Sequence, residues 1–162
     1  MCGIVGVVAQ RSATPILIRG LQRLEYRGYD SAGLATIDAD GTLKRLREVG
    51  KVQNLVDAVE RTPVSGGTGI AHTRWATHGK VTADNAHPHL SIAADADDAV
   101  CLVHNGIIEN RVALREELQG FGYKFTSQTD SEVIVHLIHH YLTAVSDLLE
   151  AVRQAVRRLD GA

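Results

Sequence analysis

Three observations predict an α+β fold. Runs that read as strands are concentrated before residue 106, amphipathic helices flank them, and two helical patterns close the chain. The chain has 162 residues, which suits one domain able to bury roughly 70% of its unfolded surface.

The elements follow in order. Residues 3–9, Gly-Ile-Val-Gly-Val-Val-Ala, are an unbroken apolar run, which predicts a strand buried on both faces. Thr14-Pro15 predicts a helix start, with Thr14 as N-cap and Pro15 at the first helical position. Leu17, Leu21 and Leu24 then recur at helical spacing. A strand over 32–38, the hairpin turn Asp40-Gly41 and a strand near 42–48 come next. Val52, Leu55, Val56 and Val59 mark an amphipathic helix, and Gly66-Gly67 breaks the chain before a strand at 68–74. Residues 75–90 have no period, and a loop of that length is usually functional. A strand is expected at 99–105 and a helix through Leu114, Leu118 and Phe121, with Asn110 available as its cap. Thr129-Asp130-Ser131-Glu132 fits a capping box, followed by Ile134, Leu137, Ile138 and Tyr141 on one face. A last helix is expected from about Asp147 to Leu159.

Composition excludes several classes. Hydrophobic residues make up 44% and charged residues 22%, as in ordinary globular chains. The net charge is −2 and there is no basic block, so neither nucleic acid nor a membrane is an expected partner. Arg153, Arg157 and Arg158 read as a solvated helix face. No stretch reaches the roughly 18–20 apolar residues of a membrane span, and no signal peptide is visible. The two cysteines are too few for a disulfide scaffold, and a reduced, cytoplasmic compartment is expected. Cys101, inside an apolar run, is expected to be a buried strand thiol. The pairs His87/His89 and His139/His140 lack zinc-site spacing, so no metal is expected. His136, His139 and His140 are expected on the partly exposed side of a helix.

The chemistry starts at Cys2. If Met1 is removed, Cys2 carries a thiol of pKa about 8.5 beside a free amine of pKa about 8. Nucleophile and general base then reside in one residue. His78 is the other candidate base, in a Cys–His pair. Amide hydrolysis also needs donors for an oxyanion, which the Asn105 side chain and the Gly106 N–H can supply, although Asn-Gly is also a common turn dipeptide. A planar guanidinium such as Arg74 can bind a carboxylate bidentately, or simply form a surface ion pair. Asp130 can bind an ammonium, or serve the dipole of the helix it begins. Trp75, the only tryptophan, lies in the aperiodic segment with Thr77 and His78. Arg27 and Asp30, in a glycine-bounded turn, read as an ion pair supporting Cys2.

Four segments together carry a resemblance: Cys2-Gly3-Ile4-Val5-Gly6, Tyr26-Arg27-Gly28-Tyr29-Asp30, the run from His72 to Gly79, and His104-Asn105-Gly106 with Thr129–Glu132 downstream. The chain resembles, along its whole length, the glutaminase domain of the glutamine–fructose-6-phosphate aminotransferases. That resemblance implies a four-layer α/β/β/α sandwich of the N-terminal-nucleophile hydrolase type. It implies glutamine hydrolysis to glutamate and ammonia through a Cys2 thioester, without a cofactor. Asn105 and Gly106 would form the oxyanion hole, while Arg74 and Asp130 would bind the ends of glutamine. Thr77 and His78 would line the pocket, and Trp75 would belong to a loop that shields it. The family's domain carries further strands beyond the point matched by Ala162, so a C-terminally truncated domain is expected. The sugar-phosphate isomerase region, which would bind fructose 6-phosphate, is not expected within these residues. A homodimer is implied for the full-length enzyme. The competing expectations are a folded but catalytically silent interaction module, and an amidotransferase for another acceptor such as phosphoribosyl pyrophosphate.

Overall fold

The computed structural model describes residues 1–76, 79–92 and 99–161. Among these are six strands in two sheets and five α-helices, in two compact units. The first unit comprises Met1–Pro88 and Val103–Asn105, the second His89–Leu102 and Gly106–Ala162.

The first unit is built on an antiparallel sheet of β1 (Gly3–Val8), β2 (Ser31–Ile37), β3 (Leu43–Val49) and β4 (Thr68–Arg74), in the order β1-β4-β2-β3. Gly3 pairs with Thr73, and Ser31 pairs with both Arg74 and Val49. The helices α1 (Thr14–Leu24) and α2 (Val52–Arg61) pack on the sheet. Their Leu17, Leu21, Val52 and Leu55 join Leu34 and Ala71 in one core. Each such leucine contributes on the order of 1.5–3 kcal/mol by burial. The central strand β2 is also covered on its other side. Arg47 donates to the Asp84 and Ala86 carbonyls, Arg45 donates to that of Pro88, and a Cβ at Gly33 would overlap the His87 carbonyl oxygen.

The second unit pairs β5 (His89–Ile92) with β6 (Ala99–Leu102), antiparallel, from His89 opposite Leu102 to Ile92 opposite Ala99. The helix α4 (Ser131–Val145) packs on both strands, and α3 (Arg111–Gly120) and α5 (Leu148–Val156) pack on α4. Leu114, Leu118, Val133, Leu137 and Ala151 lie in its core.

Several expectations are corrected. β1 is an edge strand with one open face, where Val8 is 87% exposed, so it is not buried on both faces. Thr14 does not cap α1; its hydroxyl donates to the Val64 carbonyl at 2.7 Å, and Ala13 occupies the N-cap. Asn110 holds the N-cap position of α3, yet its side chain donates to the Arg158 carbonyl and accepts from Asp160 N. No capping box forms at α4. Thr129 Oγ1 lies 2.8 Å from His89 Nε2, and Glu132 turns back to the 126–127 segment. His136 and His139 are buried rather than partly exposed, because Ser91 and Tyr123 give each a polar partner at 2.8 and 3.0 Å. Cys101 is half-buried. Arg158 pairs with Glu117 at 2.7 Å, so it is not merely solvated. Asp147 caps α5 as expected, accepting from Glu150 N at 2.8 Å.

Glu132 is the main buried charge of the second unit. Burial alone raises its pKa. His136, the Ser127 hydroxyl and the backbone N–H groups of Thr126 and Ser127 outweigh that and take it from 4.5 down to about 2. A carboxyl depressed by folding stabilises the native state fully above its unfolded pKa. The contribution, on the order of 3 kcal/mol, is therefore expected to be lost as pH falls from 4.5 towards 2. Urea unfolding of the wild-type chain at pH 7, 4 and 3 should show this loss, and Glu132→Gln should flatten it.

Candidate active site

The site residues of the first unit gather where β1 begins and β4 ends. The register that pairs Gly3 with Thr73 brings Cys2 alongside the end of β4. The Trp75 N–H points at Cys2 Sγ at 3.3 Å, and Sγ lies 3.7 Å from the Trp75 carbonyl oxygen. Cys2 is half-buried, so its sulfur is neither sealed in nor fully solvated. Trp75 is 51% exposed, and its ring lies where a Cβ at Gly28 would be. Gly28 has φ 88°, the left-handed region that favours glycine.

Arg74, the last residue of β4, is 5% exposed. Its Nη1 lies 3.9 Å from Asp30 Oδ1 and donates to the Lys80 carbonyl at 3.4 Å. Asp30 also accepts from Ser31 Oγ at 2.8 Å and from the Ala76 N–H, and its own N–H donates to the Arg74 carbonyl at 2.7 Å. Asp30 thus fixes the segment from Arg74 to Ala76 at both ends. The expected Arg27–Asp30 pair is replaced: the ion partner of Asp30 is Arg74. Arg27 instead serves the chain start, accepting from the Met1 ammonium at 2.9 Å through its carbonyl, with Nη2 3.7 Å from Met1 Sδ.

Asn105 follows the short segment after β6 and is exposed. Its Nδ2 donates to the Cys2 carbonyl at 3.4 Å, and Oδ1 lies 2.8 Å from His72 Nε2. His72 was not singled out as a site residue by its type. Its place on β4, two residues before Arg74 and so on the same strand face, was the available signal. Gly28 was likewise unassigned.

Gly106 and Asp130 belong to the second unit. Gly106 is exposed. Asp130 stands at the N-cap of α4 and accepts from the Ile108 N–H at 2.7 Å. Thr77 and His78 lie outside the described residues. Among the described residues no group of three or more His, Cys, Asp or Glu side chains could hold a metal ion. Nor is any helix among them long and apolar enough to cross a membrane.

The first unit thus holds a thiol, a carboxamide and a guanidinium, with the Trp75 backbone N–H at the thiol and the carboxamide at the Cys2 carbonyl. These groups can supply attack on a carbonyl carbon, hydrogen bonds to a developing oxyanion and binding of a carboxylate.

Residues 72–162 match a family described as the glutamine amidotransferase domain. Over all 162 residues the chain is 62% identical to a glutamine–fructose-6-phosphate aminotransferase (isomerizing) of Idiomarina loihiensis and 60% identical to that of Pseudomonas aeruginosa. It spans 26% of the length of each of these relatives. Among solved structures, the whole chain superposes on 34% of the glutamine phosphoribosylpyrophosphate amidotransferase of B. subtilis, complexed with ADP and GMP, with a TM-score of 0.83 and 26% identity. A structure described as the allosteric regulatory enzyme of purine biosynthesis gives 0.85 and 27%.

Proposed function

The chain belongs to the glutamine amidotransferase domain family, and from that premise we propose that residues 1–162 carry a glutaminase activity that supplies ammonia for the amination of fructose 6-phosphate. The identity of about 60% to aminotransferases of that name, against 26–27% to the two solved structures, one of them a phosphoribosylpyrophosphate amidotransferase, favours this acceptor over phosphoribosyl pyrophosphate. Binding and isomerisation of the sugar are assigned to parts of the longer relatives that this chain does not match. A cytoplasmic location accompanies this reading.

The observation that supports it best is the approach of Trp75 N–H and the Asn105 carboxamide to the two ends of Cys2, its sulfur and its carbonyl. In the proposed reaction Met1 is first removed. The Cys2 amine then takes the thiol proton, and sulfur attacks the side-chain amide carbon of glutamine. Asn105 donates to the oxyanion. Collapse breaks the C–N bond as the Cys2 ammonium returns that proton to the leaving nitrogen, which departs as ammonia. Water, losing a proton to the freed amine, then attacks the thioester carbon, and cleavage of the C–S bond gives glutamate and restores the thiol. Arg74 binds the substrate carboxylate. The roles of Gly106, Thr77, His78 and Asp130 rest on the family pattern. Intact mass after incubation with an electrophilic glutamine analogue tests the scheme. One adduct on a chain lacking Met1 is expected, and full hydrolysis by a chain retaining Met1 would sink the amine mechanism in favour of His78.

Two substitutions probe recognition. Arg74→Lys keeps the charge and loses the planar fork, so glutamine binding should weaken by about 1.5–3 kcal/mol, read as a rise in KM. Asp130→Asn should impair glutamine more than an analogue lacking the α-amine. If it changes thermal stability and no kinetic constant, Asp130 serves α4 and the Ile108 N–H alone.

A further inference from the structure

His72 has no part in the scheme above, yet it holds the residue to which that scheme gives the oxyanion. Its side chain is 1% exposed on β4 and stacks on His87 with ring centroids 4.2 Å apart and 18° between planes. Nε2 lies 2.8 Å from Asn105 Oδ1. Burial pushes the imidazole down to about 4, against weaker opposing effects of Asn105 and the His104 backbone, so at neutral pH the ring is uncharged and carries a single N–H. The other ring nitrogen, Nδ1, is buried with no hydrogen-bond partner among the described residues. A proton on Nδ1 would leave an orphaned buried donor, whereas a proton on Nε2 has Asn105 Oδ1 as its acceptor. The far end of the same carboxamide meets Cys2, where Nδ2 donates to the main-chain carbonyl at 3.4 Å. Turning the amide over would set Oδ1 against that carbonyl and Nδ2 against an N–H. Both neighbours therefore select one orientation.

We infer that His72 is a positioning residue: it holds the Asn105 carboxamide with its NH2 group turned to the Cys2 side, leaving one N–H for an oxyanion. The inference rests on the oxyanion role proposed for Asn105. It adds that the donor is aimed by a neutral, Nε2-protonated histidine in β4. The amide has two hydrogens, and the Cys2 carbonyl takes one of them, so the same orientation serves both the resting contact and the reaction.

NMR of the chain with 15N-labelled histidine tests the tautomer. At neutral pH the His72 proton should reside on Nε2; a proton on Nδ1 overturns the inference. Kinetics test the consequence. His72→Leu removes the donor and should lower kcat for glutamine hydrolysis about tenfold or more, with KM within about twofold. His72→Gln places an amide N–H near the Nε2 position and should recover most of that loss. If His72→Leu does not fold, His72→Gln and the NMR of the unaltered chain still decide. In an Asn105→Ala background, His72→Leu should cost less than about twofold more, because the group it aims is gone. An undiminished loss in that background overturns the positioning role. An Asn105→Ala variant with wild-type kcat overturns the oxyanion role instead, and the tautomer measurement then judges the orientation by itself.

Discussion

Replacing Cys2 with alanine is expected to lower kcat for glutamine hydrolysis on the order of 10⁴-fold or more, to background, because the proposed thioester can then no longer form. Glutamine binding should survive, since Arg74 and not the thiol is assigned to recognition. Cys101→Ser should stay within about twofold of wild type, because Cys101 sits on β6 opposite Leu90 in the second unit. Ammonia release and isothermal titration, run on the same three proteins, separate these outcomes. Residual turnover in Cys2→Ala at more than a trace would move the nucleophile elsewhere. A tag left in front of Cys2 should inactivate as well, because it turns the amine into an amide that cannot accept the thiol proton.

The largest expected loss of stability is at Glu132→Ala. The carboxylate accepts from the Thr126 and Ser127 N–H groups, both at 2.8 Å, and from their hydroxyls at 3.1 and 2.7 Å. The residue is 2% exposed, so alanine leaves these donors without an acceptor and no water takes its place at full strength. His136, whose Nε2 lies 3.7 Å from Oε1, loses its carboxylate neighbour as well. A cost of roughly 3–5 kcal/mol follows, a large share of the 5–15 kcal/mol typical of a whole domain. Urea unfolding at pH 7 should show a lower midpoint with an unchanged slope. At pH 3 the difference between wild type and variant should shrink, because the wild-type carboxyl is then losing the same advantage.

Much of the fold was legible because local rules and tertiary context agreed. The strand 68–74 and the Asp40-Gly41 turn fall where spacing put them, with Gly41 at φ 85° and its N–H donating to the Asp38 carbonyl. β5 was hidden in the segment 75–90 for a physical reason. His89 and Ser91 are its buried residues, satisfied by Thr129 and His136, so the alternation of apolar side chains that marks a strand is absent. The same polar pairing misled the reading of α4, whose histidines look solvent-seeking until their partners are known. The caps failed similarly. Thr14, Asn110 and Glu132 have the right residue types at helix starts, but more distant groups claim their side chains. In the site, a motif could name Cys2, Arg74 and Asn105. It could not say that Asp30 pairs with Arg74 instead of Arg27, since that depends on β2 lying beside β4.

The lone indole of Trp75 makes this chain its own optical instrument. With one tryptophan in 162 residues, all indole emission comes from a ring resting on Gly28, attached to the backbone N–H that points at the Cys2 sulfur. A half-exposed indole shifts its emission maximum when its hydration changes. Unlabelled protein can therefore be titrated with glutamine, or followed in stopped flow after mixing with a thiol reagent, and the colour of the light attributed to one address. Gly28→Ala supplies the calibration, because its methyl group must displace the ring before any ligand arrives.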